Sequence, residues 1–178
     1  MKKYYYGSSN PNLNGLKTNM NPSGKIYMTI NKTYALIYAT YKYINLFIDS
    51  EDGKIKFLNI YPNLFEKLYG NTIGYIYSVE LDESEFYSDA KEGIKTIADS
   101  YFTTKDVSFE AKEEVNVFEE FMKLSEKGLF EIVEKDEIPE DYILDLKRYY
   151  TNKYKHSDMS SEEIEYFDKF LPDLISHD

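Results

Sequence analysis

Three short patterns within the first forty residues carry side chains suited to holding a planar ligand: Tyr6-Gly7-Ser8, Gly24-x-x-Tyr27-x-Thr29 and Ala35-x-x-Tyr38. Tyrosine faces stack on flat rings. A glycine backbone lets a ligand approach closely, and the Ser, Thr and Tyr hydroxyls both donate and accept hydrogen bonds. Elsewhere reactive chemistry is scarce. The chain has no Cys and two His, His156 and His177, which excludes disulfides, thiolate nucleophiles and multi-histidine metal sites. His156 reads as a solvated loop residue between two late helices, and His177 lies next to the terminus. There is no Walker loop, no G-x-G-x-x-G, no H-E-x-x-H and no G-x-S-x-G. The pairs Glu113-Glu114, Glu119-Glu120 and Glu162-Glu163 read as solvated helix faces, because neighbours on a helix point about a hundred degrees apart.

The elements that must position the three patterns follow from residue type and spacing. Lys3 to Ser8 is rich in Tyr and ends in Gly-Ser, as a strand would. Alternation puts Tyr4 and Tyr6 on one face and Tyr5 on the other. Ser9 to Gly24 is a loop of Asn, Pro, Gly and Ser, and Lys25 to Thr29 is a second strand. Asn31 or Thr33 caps a helix on which Ala35, Tyr38, Ala39 and Lys42 share a face.

Ile44–Ile48 and Lys54–Ile60 make a hairpin about Asp49-Ser50-Glu51-Asp52-Gly53, and Asn63–Tyr69 is a short helix ended by Gly70. Ile73–Leu81 alternates as a strand, and Tyr101–Phe109 reads as another. The period then becomes helical, with Ala111, Val115, Phe118 and Met122 on one face and Gly128 as the stop. Leu129–Val133 is a last strand. Pro139 opens a helix that turns Ile143, Leu146 and Tyr150 inward. Ser160 with Glu163 forms a capping box for a final helix that buries Ile164, Phe167 and Leu171. Strands early and helices late give an α+β fold, with a core over 1–110 and an acidic helical part of the same domain over 111–178.

Composition restricts the partners. The 19 Tyr and 11 Phe, with no Trp, are not by themselves evidence of base stacking, since Lys-for-Arg bias with abundant Tyr, Ile and Asn is also what an A+T-rich genome produces. Charge is more informative. The net charge of −11 divides into +4 over residues 1–80 and −15 over residues 81–178. An acidic C-terminal half repels phosphate backbones, so general nucleic-acid binding is not expected. An anionic small ligand is better placed against the N-terminal half. No run approaches the ~18 to 20 apolar residues of a membrane span. The N-terminus lacks the apolar stretch of a secretory signal, which makes cytoplasmic residence the expectation.

The three N-terminal patterns together resemble the ADP-ribosyltransferase fold family, in its diphtheria-toxin-like or poly(ADP-ribose)-polymerase-like branch. In that branch one strand ends His-Gly-Ser or His-Gly-Thr, the next carries Gly-x-Tyr, a helix carries Ala-x-x-Tyr, and a late strand supplies a Glu before an aromatic residue. The chain also resembles small bacterial proteins with an N-terminal Tyr-His-Gly-Ser motif. It shares their Phe-Glu-x-x-Tyr and Gly-Tyr-Ile-Tyr patterns as Phe65-Glu66-Lys67-Leu68-Tyr69 and Gly74-Tyr75-Ile76-Tyr77. The likeness runs over residues 4–110. It implies a split β-sheet core, NAD as cofactor and transfer of ADP-ribose to a macromolecule.

By this resemblance Gly7 and Ser8 bind the nicotinamide carboxamide, Tyr27 and Tyr38 sandwich the ring, and Tyr6 and Thr29 complete the nucleotide site. Two positions depart from the pattern. Tyr6 stands where the family has His, and Ser100, in Asp99-Ser100-Tyr101-Phe102, where it has the catalytic Glu. Asp99 and Glu80 are the candidate carboxylates. A second reading, of a different class, is a non-catalytic acidic protein on the same fold. It would bind a basic protein partner or act as an inhibitor that mimics nucleic acid.

Overall fold

The computed structural model describes residues 1–40, 43–49, 54–88 and 100–176, and the following refers to these. In chain order the strands and helices are β1 (Lys2–Ser8), β2 (Gly15–Leu16), β3 (Ile26–Thr29), α1 (Lys32–Thr40), β4 (Phe47–Asp49), β5 (Ile55–Asn59), α2 (Leu64–Tyr69), β6 (Ile73–Leu81), β7 (Tyr87–Ser88), β8 (Ser100–Thr103), β9 (Val107–Ser108), β10 (Ala111–Asn116), α3 (Val117–Glu126), β11 (Phe130–Glu134), α4 (Glu140–Lys155) and α5 (Ser161–Phe170). The protein is mixed α+β, with a large antiparallel sheet and five α-helices among the described residues. It separates into two compact units interleaved in sequence, 1–41 with 71–123 and 42–70 with 124–178.

The first unit is built on the six-stranded sheet, ordered β10-β6-β1-β3-β8-β7. β1 pairs with β6 along its whole length, with Tyr4 opposite Val79 and Gly7 opposite Ile76. Alternation therefore gives the sheet two different faces. One buries Tyr4, Ile26, Met28 and Val79 with Phe86 and Val107, and Tyr4 stacks on Phe86 with centroids 3.9 Å apart. The other carries α1. A side chain at Gly7 would place its Cβ 1.7 Å from the carbonyl oxygen of Ala35. The missing Cβ is thus what lets the helix rest on the strand backbone. The Asn31 side chain starts that helix, accepting from the Thr33 amide at 3.0 Å, and satisfies one of its orphan donors.

The second unit holds the three-stranded sheet β11-β5-β4, in which β11 runs parallel to β5 and β4 antiparallel. Its centre is aromatic. Phe57 and Phe65 are almost fully buried, and Phe65 lies 4.9 Å from Phe57 and 5.1 Å from Phe130 between centroids. Buried Asn59 is satisfied on both sides: its oxygen accepts from the Phe65 amide at 3.0 Å and its nitrogen donates to Glu134 at 3.1 Å. Across α4 and α5, Tyr150 packs on Phe167 at 4.7 Å.

Several expectations require correction. Residues 101–109 are not one strand but β8 and β9, parted by a bend where the Thr103 hydroxyl accepts from the Lys105 amide at 3.2 Å. The helix expected from Ala111 begins at Val117, because 111–116 pair with β6 as β10, Ala111 opposite Ser78 and Asn116 opposite Ile73. Glu113 and Glu114 thus point to opposite faces of a strand, and Glu113 meets Lys32 at 2.6 Å.

The loop over 9–24 contains β2 and a turn of 3-10 helix at Thr18–Met20. Ser160 caps α5 by accepting from the Glu163 amide at 3.1 Å. The Glu163 carboxylate, instead of closing a capping box, accepts from Lys153 of α4 at 3.0 Å. Gly128 stops α3 with φ of 68°. The turn at 50–53, Asp99 and His177 lie outside the described residues. No helix of the described residues is long and apolar enough to cross a membrane.

Candidate functional site: a tyrosine-lined cleft between parted strands

The strands that flank the cleft are joined very little. β1 pairs with β3 at Tyr5 and Thr29 alone, whereas β3 pairs with β8 from Ile26–Thr103 to Thr29–Ser100. Beyond Tyr5 the two strands part, and a cavity of about 610 Å³ opens there. Its walls are Tyr5, Tyr6 and Gly7 of β1, Ile26 to Thr29 of β3 with Lys25 before it, Tyr34, Ala35 and Tyr38 of α1, the strap residues Leu16, Lys17, Met20, Asn21 and Pro22, and Ser100. All of them belong to the first unit.

Tyr6, Gly7, Tyr27, Thr29 and Tyr38 therefore come together on one cavity. Tyr27 is 38% exposed and Tyr38 54%, so both offer ring surface to a ligand. Tyr38 sits edge-on to Tyr34 at 5.6 Å, one helical turn away. Tyr27 lies 6.0 Å from Phe102 on the neighbouring strand. Tyr6 stacks on Phe109 at 5.9 Å, and burial pushes its phenol pKa up. It is a neutral hydroxyl at physiological pH.

Other residues are placed differently. The Ser8 hydroxyl accepts from the Asn10 amide at 3.1 Å, and Ser8 is not on the cavity wall. Thr29 is on the wall, but its hydroxyl accepts from the Asn31 amide at 2.9 Å and helps set the approach to α1. Glu80 is exposed near the end of β6, opposite Lys3, and does not line the cavity. Ser100 does line it. Among the described lining residues the charged groups are Lys17 and Lys25. No group of three or more His, Asp or Glu that could hold a metal occurs among the described residues.

The sequence reading missed Tyr5, Tyr34, Lys17 and Lys25. Tyr34 had a usable signal, since Tyr34 and Tyr38 stand at i, i+4 on the helix already carrying the Ala-x-x-Tyr pattern. Lys17 had none, because the strap reaches the cavity through a tertiary contact. Asp106, in the bend between β8 and β9, accepts from the Thr18 amide at 2.9 Å and from Lys17 at 3.1 Å. These bonds hold the Asp106 carboxyl below the usual aspartate range, the Thr18 amide contributing most.

The arrangement can stack a planar ring and attract an anion, while the Tyr6 ring packs with Phe109 against the Tyr4 cluster, on the sheet face opposite α1. Comparison with family models, with curated proteins and with solved structures finds no match to this chain.

Proposed function

We propose that this chain is an ADP-ribosyltransferase-like protein that binds NAD or a related nucleotide in the cleft between β1 and β3. The observation that carries this reading is the meeting of Tyr6, Gly7, Tyr27, Thr29 and Tyr38 on one cavity, since these are the positions the resemblance assigns to the nucleotide. Exposed ring surface on Tyr27 and Tyr38 supports stacking of a flat heterocycle. A wall charged by two lysines supports the phosphates.

Binding is the core of the proposal. Cleaving the nicotinamide–ribose bond develops oxocarbenium character, which a placed carboxylate stabilises. Ser100 carries no charge, and Glu80 stands off the cavity. Transfer of ADP-ribose to a macromolecule would therefore fall to Asp99, the sequence neighbour of Ser100.

Thermal melting with NAD, ADP-ribose and nicotinamide tests the reading. A ligand that binds only the folded state at a hundredfold excess over Kd adds ~2.7 kcal/mol of stability, so at least one of the three should raise the melting temperature. Flat curves with all three would favour the acidic interaction protein. Capture of a basic partner by that protein should weaken as salt rises.

A further inference from the structure

The cavity is charged against the rest of the chain. The first acidic residue in the sequence is Asp49, and apart from Ser100 every described lining residue lies between Tyr5 and Tyr38. In a chain of net charge −11, the described walls of this cleft, Ser100 apart, thus come from a segment without a carboxylate. Its two cations are not equivalent. Lys17 is engaged by Asp106 at 3.1 Å, whereas Lys25 forms no ion pair among the described residues.

Lys25 is nevertheless held in place. Gly24, at φ of 66°, closes a turn in which its amide donates to the Asn21 carbonyl at 2.8 Å. The Lys25 carbonyl then accepts from the Asn21 side chain at 2.9 Å. The ammonium lies 4.1 Å from the centre of the Phe102 ring, and Tyr27 packs on the same ring. A cation–π contact positions a lysine without neutralising it. An ammonium with no ion partner among the described residues therefore stands beside the tyrosine faces.

We infer that Lys25 is the anion-recognising residue of the cleft, so that the site selects phosphate-bearing nucleotides over the free nucleoside or free nicotinamide. The inference rests on the nucleotide reading and deepens it. The planar part of the ligand stacks among Tyr27, Tyr34 and Tyr38, and its phosphate oxygens accept from the Lys25 ammonium. Lys17 stays on Asp106 and fastens the strap.

Titration calorimetry with ADP-ribose, adenosine, nicotinamide and inorganic pyrophosphate, on the wild type, K25Q and K25R, decides it. Charge-assisted hydrogen bonds are the strong ones, so ADP-ribose should bind roughly tenfold or more tightly than adenosine. K25Q should weaken ADP-ribose by roughly tenfold and leave adenosine unchanged, and K25R should retain ADP-ribose. Wild-type affinity for ADP-ribose should also fall with salt more steeply than that of K25Q.

Equal affinity of wild type and K25Q for ADP-ribose overturns the inference. So does binding of adenosine or nicotinamide without any gain from phosphate, although that result keeps the nucleotide reading. Lys25-dependent binding of pyrophosphate, with none of the three nucleotide-derived ligands binding, keeps the anion site and ends the nucleotide reading. Silence from all four probes removes both.

Discussion

The two units use the same kind of side chain to opposite ends. In the second, Phe47, Phe57, Phe65, Tyr69 and Phe130 lie ring against ring, with Phe57 4.9 Å from Phe65 and Phe65 5.2 Å from Tyr69, and the cluster is closed. In the first, Tyr27, Tyr34 and Tyr38 surround a cavity of about 610 Å³. The difference lies in the backbone beneath them. β5 is paired along its length with β11, from Ile55–Phe130 to Asn59–Glu134, so its side chains meet neighbours on both sides. β1 and β3 share one pair and then part, and the cavity opens where they do. Aromatic content alone therefore does not separate a closed core from an open cavity, whereas broken strand pairing does.

The largest expected effect tests whether the closed cluster is core and the open one is not. Phe57→Ala removes a fully buried ring and should cost ~3–5 kcal/mol through lost burial and a residual cavity. Tyr38→Ala removes a ring that is 54% exposed and should change stability by no more than about 0.5 kcal/mol. Urea unfolding of both variants checks the contrast. Similar losses would mean that Tyr38 is a structural residue and that the cleft is an artefact of loose packing.

Next in size is the residue that belongs to both cleft and core. Gly7 lines the cavity, yet a Cβ there would sit 1.7 Å from the Ala35 carbonyl oxygen and 2.7 Å from the Ala39 amide nitrogen. Those contacts are backbone and cannot rotate away, so α1 must lift off β1. Overpacking costs ~1–3 kcal/mol and occasionally more, and Gly7→Ala should fall at the upper end of that range. Because Tyr34 and Tyr38 ride on the same helix, the variant should also lose ligand binding. A stable Gly7→Ala protein with unchanged unfolding would contradict the helix-on-strand packing.

How far the sequence disclosed this arrangement depends on how local each signal is. β1, β3, α1 and β6 were legible because alternation, the Asn31 cap and flanking glycines are near-neighbour chemistry. β10 was misread because Ala111 and Val115 stand four apart, as on a helix face. The pairing of this segment with β6 is a tertiary contact that overrides local preference. The parallel match of β11 with β5 joins residues about seventy positions apart and leaves no local trace.

At the cavity, Tyr27, Tyr38 and Gly7 were singled out in the sequence, but the packing reason for Gly7 was not. Ligand approach was expected, while the structure adds close packing of α1. Lys25 was passed over because a single lysine among 20 is conspicuous only once its neighbours are known to be tyrosines.

The smallest expected effect concerns the strap, a wall of the cleft fastened by polar side-chain bonds. Asp106 holds it through the Thr18 amide and hydroxyl and the Lys17 ammonium, and those bonds lower the Asp106 pKa. A carboxyl whose folded pKa lies below its unfolded value contributes stability above the unfolded value. It loses that contribution as the pH falls through the folded value. Wild type should therefore melt slightly higher than Asp106→Asn at neutral pH. The gap should persist until the pH drops below the ordinary aspartate value of about 3.9, and it should close as the lowered folded pKa is passed. Exposed pairs contribute little, so melting temperatures must be compared at each pH within one buffer series. Since Lys17 and Met20 lie on the cavity wall, loosening the strap should also weaken ligand binding in Asp106→Asn at neutral pH. A difference between the two proteins that does not change down to strongly acid pH would mean that Asp106 acts through packing and not through its charge.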